Sequence, residues 1–357
     1  MQQSVRYLET SDHVRLAWAS CGDGPTLIKT ANWLTHLNYD LDSPVWTHWI
    51  EFFSRYFRLI RYDERGCGMT DREVSDLSMP RWAADLEAVV DASDPGESFV
   101  LFGCSHGTAA AMEYAVHHPQ RVSHLILYGG YAVGWAHRQD EAGLARYRAI
   151  TELIRTGWGQ DNPVFRQLFT SRFAPGARTE QLEWFNELCR RTTSPAMAAR
   201  LLVARGELDV RGLLPQVSVP TLVLHARGDE VVPFSMGQML ATEIPNASFV
   251  ELDSRNHVLL ADEPAWTRFK QAVLEFTARA PDVADSRLTV LSVREREILG
   301  AVVAGKTNAE IGAALFISEK TVRNALTRIF EKLGVHTRTQ AAVLARDRGW
   351  NLLTPTR

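Results

Sequence analysis

The stretch Ser98-Phe99-Val100-Leu101-Phe102-Gly103-Cys104-Ser105-His106-Gly107 decides how the rest of the chain is read. Its first five residues form the short apolar run of a buried strand, and from Thr108 to His117 apolar residues recur at helical spacing. Between them lies the pattern G-x-S-x-G. A strand that passes into a helix over so few residues must turn sharply, and a serine at the apex sits on a strained backbone with its hydroxyl presented. Glycine is needed on both sides because a β-carbon there would run into the adjoining helix or strand. Ser105 is therefore a candidate nucleophile. Its hydroxyl still needs a base to take the proton and a third group to orient that base.

Working outward, Thr26–Lys29, Phe57–Tyr62 and Val122–Tyr128 read as further strands, and Met79–Val90 as a helix. The alternation returns late, with strands at Pro220–His225 and Ser248–Leu252 and a closing helix at Pro264–Ala278. Short apolar strands alternating with amphipathic helices predict an α/β fold, a doubly wound and mostly parallel sheet covered on both faces. Asp229 follows the first of the late strands and His257 the second. Ser105, Asp229 and His257 thus leave the same edge of the sheet, where ligand sites of α/β folds collect, in the chain order serine, acid, histidine. They are the candidate catalytic triad.

From about 131 to 217 strand-like runs disappear, and aromatic residues such as Trp135, Trp158, Phe169 and Phe173 sit in short amphipathic segments. This predicts a helical cap over the sheet; the alternative is a continuation of the helical layer. The length of 357 residues suggests two units, and 45% apolar with 23% charged residues excludes disorder. The net charge of −3 conceals an asymmetry: from Arg287 onward twelve Lys and Arg face six Asp and Glu, leaving −9 for the rest. A basic end piece on an acidic body points to a polyanion as partner of the end piece. Four cysteines stand far apart without a C-x-x-C, so no disulfide framework, metal or cofactor is expected. The start MQQSVRYLET has no basic–apolar signal, and no apolar run reaches the roughly 20 residues that span a bilayer. A cytoplasmic protein with no membrane partner is expected.

The polar, proline-bearing stretch 280–287 reads as a linker between a domain at 1–279 and another at 288–357. The second carries capping boxes at Ser292/Glu295 and Thr307/Glu310, a third cap at Ser318, glycines at helix ends (Gly305, Gly334) and a last helix over Thr339–Arg348. On the helix from Ser318 to Leu333, Val322, Leu326, Ile329 and Leu333 form one apolar stripe, with Lys320, Arg323, Asn324, Thr327 and Glu331 opposite. That helix, set after another and a short Phe316-Ile317 turn, has the layout of a helix-turn-helix whose polar face enters a major groove. A helical docking module with a solvated charged face is the alternative from periodicity alone.

Two resemblances sharpen these readings. The G-x-S-x-G turn, the Arg61-Tyr62-Asp63-Glu64-Arg65-Gly66-Cys67-Gly68 loop and the Gly228-Asp229…His257 spacing make residues 1–278 resemble the α/β-hydrolase superfamily. Ala31-Asn32-Trp33-Leu34-Thr35-His36-Leu37 and Gly157-Trp158-Gly159-Gln160-Asp161-Asn162-Pro163 resemble a narrower group in which such a domain is fused to a DNA-binding domain or a nucleotide cyclase. The resemblance implies a ligand-sensing role. It also implies an oxyanion site from the backbone N–H groups of His106 and Trp33, although Ala31-Asn32 stands where many relatives have His-Gly.

Leu291-Ser292-x-x-Glu295-x-x-Ile298, Gly305-Lys306-Thr307-Asn308-x-Glu310-Ile311, Ile317-Ser318-x-Lys320-Thr321-Val322-Arg323-Asn324 and Lys332-Leu333-Gly334-Val335 resemble the C-terminal domain of LuxR-type regulators. That implies DNA contacts at Lys320, Thr321, Arg323 and Asn324, phosphate contacts at Arg328 and Lys332, and pairing through the last helix. The expectation is a homodimeric regulator on an inverted repeat of duplex DNA, sensing a small apolar ester, lactone or acyl-type ligand. A working serine esterase or lactonase with a localising DNA-binding domain is the alternative; a protein-interaction scaffold is a third.

Overall fold

The computed structural model describes residues 3–138, 141–161, 163–277 and 291–346. The expected linker at 280–287 and the residues past 346 lie outside them. The chain divides into two compact units, Met1–Thr277 and Ala278–Arg357.

In the first unit eight strands form one sheet: β1 (Ser4–Glu9), β2 (Arg15–Cys21), β3 (Thr26–Lys29), β4 (Arg58–Tyr62), β5 (Phe99–Cys104), β6 (Val122–Tyr128), β7 (Thr221–Ala226) and β8 (Ser248–Leu252). Their order across the sheet is β1-β2-β4-β3-β5-β6-β7-β8. From β4 to β8 every pairing is parallel; β2 is antiparallel to both β1 and β4. The β1–β2 hairpin is absent from the expectations above. None of the six β1 residues is buried, so the strand lacks the apolar run that marked the others. The central strands β5 and β7 are buried at every position, as a sheet covered on both faces requires.

Helices α1 (Thr47–Tyr56), α2 (Met79–Ser93) and α3 (Gly107–His117) follow β3, β4 and β5, and α8 (Phe234–Glu243) and α9 (Pro264–Phe276) flank β8. Between β6 and β7 come α4 (Glu141–Gly157), α5 (Pro163–Leu168), α6 (Thr179–Thr192) and α7 (Pro195–Gly206), with short 3-10 turns and no strand among the described residues. After β3 the chain passes to β4 on one side and returns to β5 on the other. The carboxyl ends of β3 and β5 therefore diverge, opening the crevice in which ligands of such sheets bind.

The second unit holds α10 (Val293–Val303), α11 (Asn308–Leu315), α12 (Glu319–Leu333) and α13 (Arg338–Arg346). Ile298, Val302, Ile311, Val322, Leu326 and Ile329 form its core. Both capping boxes are made, and Ser318 accepts from the Thr321 N–H at 3.1 Å.

Candidate functional site

The turn after β5 is as tight as its sequence demands. Ser105 has φ +54°, in the left-handed region that a serine enters only under constraint. A β-carbon on Gly103 would lie 2.9 Å from the Thr108 Cα of α3, and one on Gly107 would lie 2.4 Å from the Ala31 carbonyl oxygen. The flanking glycines thus let the strand, the helix and the loop after β3 converge on one serine.

Three chain-distant loops meet there. His257 Nε2 lies 3.0 Å from Ser105 Oγ, and His257 Nδ1 lies 2.6 Å from Asp229 Oδ2. The other Asp229 oxygen accepts the N–H groups of Val231 and Val232 at 2.8 and 2.9 Å. With Oδ1 occupied, Oδ2 is left to take the Nδ1 proton, and Nε2 is left as acceptor for the serine hydroxyl. Both His257 and Asp229 are buried, so water does not compete for these bonds. The His257 loop is fixed from below: Tyr128 donates its hydroxyl to the His257 carbonyl at 2.8 Å, and Glu263 accepts from Asn256 Nδ2 at 3.1 Å.

The two expected oxyanion donors differ in state. The backbone N–H of His106 has no acceptor among the described residues, whereas that of Trp33 donates to His106 Nδ1 at 3.3 Å. The His106 side chain thus already holds one of the two expected donors. Since Nδ1 accepts, the ring proton sits on Nε2, 3.2 Å from Glu64 Oε1. Burial, reinforced by Arg205, holds the His106 pKa below that of ordinary histidine and keeps the ring neutral. Burial pushes Glu64 the other way, but Arg205 and His106 outweigh it and the carboxyl stays ionised below its usual range. Glu64 and Arg205 form a buried ion pair, and the Arg205 guanidinium lies 4.7 Å from the Trp33 ring centre. The Asn32 side chain accepts a bond from the half-buried Lys29 ammonium.

The two motifs of the narrower resemblance meet here as well. Trp33 stacks on Trp158 with ring centres 5.6 Å apart and planes 9° from parallel, and Trp158 Nε1 donates to the Thr193 carbonyl at 3.1 Å. The cap thus closes over the sheet edge through aromatic faces. The cavity beneath is lined by Ser105 and His257 on the sheet side and by cap residues including Tyr147, Phe169, Phe185 and Leu202.

In the second unit Lys320, Thr321, Arg323, Asn324 and Arg328 are all exposed on α12, while Val322, Ala325, Leu326, Ile329 and Leu333 are buried. Lys332, the other expected phosphate contact, has its ammonium 2.7 and 2.9 Å from the two Glu295 oxygens, which ties the end of α12 to the cap of α10. Arg323 shares its charge with Glu319 at 3.3 Å along the helix.

Several residues were not foreseen. Glu263, Tyr128 and Arg205 carry no local pattern; each acts through partners more than a hundred residues away or through one loop's folded shape. Glu64 lay inside the quoted Arg61–Gly68 loop, but only the fold brings it against His106. No helix among the described residues is long and apolar enough to cross a membrane.

Comparison with known proteins supports this two-part organisation. Residues 50–264 match the family described as serine aminopeptidase, S33, and residues 289–345 match bacterial regulatory proteins of the luxR family. The AB hydrolase superfamily protein YisY of Bacillus subtilis is 28% identical over 264 residues, 72% of this chain and 94% of its own length. The transcriptional regulatory protein DegU of Brevibacillus brevis is 46% identical over 63 residues, 18% of this chain and 27% of its own. Among solved structures, a hydrolase from Pseudomonas aeruginosa PA01 matches with a TM-score of 0.63 at 25% identity, over 77% of this chain and 98% of that one. An α/β-hydrolase sheet followed by a LuxR-type helical domain was the fold expected from sequence, and these matches bear it out.

Proposed function

The chain belongs to the serine aminopeptidase S33 family of α/β-hydrolases and bears a luxR-family domain in the same polypeptide, and on that footing we propose that it is a DNA-binding transcriptional regulator whose hydrolase-fold domain senses a small ester, lactone or acyl-type ligand. The observation that carries the reading is the pairing itself: a hydrogen-bonded Ser105–His257–Asp229 chain beneath a cap, joined to a helix-turn-helix with an exposed basic face.

In this reading His257 Nε2 takes the Ser105 proton as Oγ adds to the ligand carbonyl, and Asp229 holds the imidazole in the required tautomer. The new oxyanion is met by the His106 N–H, and by the Trp33 N–H once it turns from His106 Nδ1. His257 then returns the proton to the departing alkoxide, leaving an acyl-Ser105 that water cleaves by the reverse route. Slow clearance would make the acyl-enzyme a long-lived signal. Lys320, Thr321, Arg323 and Asn324 read base edges and Arg328 holds a phosphate, with two copies of the domain at about residues 288–357 placed on an inverted repeat. Ligand and DNA would affect each other through two arrangements of the homodimer with different affinities, in the cytoplasm where duplex DNA is met.

The test is selection from random duplexes by the intact protein. It should return an inverted repeat with half-sites about one helical turn apart, and its occupancy should change when Ser105 is acylated. No enriched sequence, with affinity indifferent to salt, would sink the regulator reading. A second reading, a working esterase or lactonase with a localising DNA-binding domain, is favoured by the unbroken triad and would survive that outcome.

A further inference from the structure

The cavity over Ser105 is lined by three arginines, Arg138, Arg172 and Arg205, and by no Asp or Glu among the described residues. Arg205 is 4% exposed, on α7 of the cap. One of its nitrogens pairs with Glu64, while Nε and Nη1 have no acceptor. Buried donors left unmade are costly, and guanidinium presents them as a planar fork that fits a carboxylate. Glu64 neutralises only this one charge. Arg138 bonds the Val133 carbonyl at 3.0 Å and stacks on Tyr131; Arg172 bonds the Glu230 carbonyl at 3.0 Å and stacks on Tyr147. Among the described residues neither pairs with a carboxylate, so these residues leave about two positive charges uncompensated beside aromatic faces of the cavity wall.

Resting on the reading of Ser105 as an acyl-accepting serine, we propose that the ligand is an ester or lactone that also bears a carboxylate, which the Arg138, Arg172 and Arg205 side chains of the cap recognise. The aromatic walls take the carbon chain between carboxylate and carbonyl. A neutral ester of the same length meets the same walls but leaves the guanidinium groups unanswered, and the site discriminates against it. The cap is thereby the specificity element, and the charge of the ligand ties α7 and the segment before α4 to the sheet edge.

The experiment uses the full chain carrying Ser105→Ala, so that binding is read without turnover, and two probes: the monomethyl ester of adipic acid and methyl hexanoate. Calorimetry should show the anionic ester binding at least about tenfold tighter, as a charge-assisted hydrogen bond provides. That ratio should shrink between low and high salt. It should fall towards one in the Arg138→Met/Arg172→Met double variant, since these two arginines are half-buried and form no ion pair among the described residues. Arg205→Lys, which keeps a cation for Glu64 while removing the fork, should lower the ratio as well. Equal affinity for the two esters, binding of neither, or a ratio untouched by the double variant would overturn the proposal. Fluorophosphonate labelling of the intact serine tests the underlying reading separately, because an unreactive Ser105 would leave the binding ratio unchanged.

Discussion

Replacing Gly107 with alanine adds one methyl group at the point where α3 begins, and the structure fixes what it meets. The new carbon would lie 2.4 Å from the Ala31 carbonyl oxygen and 2.5 Å from Thr30 Oγ1. Non-bonded heavy atoms rest about 3.5 Å apart, so the loop after β3 must retreat by about 1 Å. Thr30 is anchored on both sides: its N–H donates to the Phe102 carbonyl at 2.9 Å and its hydroxyl to the Gly107 carbonyl at 3.0 Å. The strain is therefore not dispersed at Thr30 and passes to Trp33, three residues on, whose N–H is the second proposed oxyanion donor. Overpacking of this kind costs about 1–3 kcal/mol in stability. A displacement of about 1 Å at a reacting centre lowers rate by about a hundredfold. The assay is the pseudo-first-order rate of Ser105 labelling by a fluorophosphonate, with a thermal melt on the same sample. Gly212→Ala, where a β-carbon would touch nothing within 4 Å, is the control and should leave both readings unchanged. Labelling of Gly107→Ala at the wild-type rate with an unshifted melt would show that the loop yields without moving Trp33, and would refute the packing argument.

Labelling should vanish in Ser105→Ala and fall by several orders of magnitude in His257→Ala, whereas equal labelling of Ser105→Ala would place the nucleophile elsewhere. Burial pushes the carboxyl of Asp40 up to about 7 despite Arg61 at 3.7 Å, so the folded state holds a proton that the unfolded chain releases near 4. Stability is then fully present below that lower value and declines as pH rises from there through 7, by on the order of 4 kcal/mol. Asp40→Asn should flatten the decline, seen as denaturation midpoints that agree near pH 4 and favour the variant at pH 8; a variant no more stable at pH 8 would show that the Arg61 pair outweighs the burial. In the DNA-binding unit, Arg328→Ala should reduce the salt slope of binding by about one, while Lys332→Met should leave the slope nearly unchanged and cost about 2 kcal/mol of stability through Glu295. A slope change as large for Lys332→Met would restore it as a phosphate contact. Arg323→Ala should weaken the preferred site by about 1–3 kcal/mol and blunt discrimination between sequences, which competition against non-specific duplex reads directly.

Much of this molecule was legible in order and spacing alone. Six of the eight strands, the turn at Ser105 and the places of Asp229 and His257 follow from apolar period, turn residues and chain order, because a buried parallel strand must be apolar throughout and a sharp turn must carry glycine. The helices of the second unit follow from caps and a single stripe, which are contacts within one or two turns. β1 escaped because an edge strand faces water and needs no apolar run. What only the tertiary structure decided is how charges and donors are shared between distant segments: that His106 holds the Trp33 N–H, that Arg205 answers Glu64, that Lys332 is spent on Glu295, and that three arginines converge on one cavity. A hydrogen bond or ion pair has no period along the chain, so its partner is set only when the fold brings two segments to within about 3 Å.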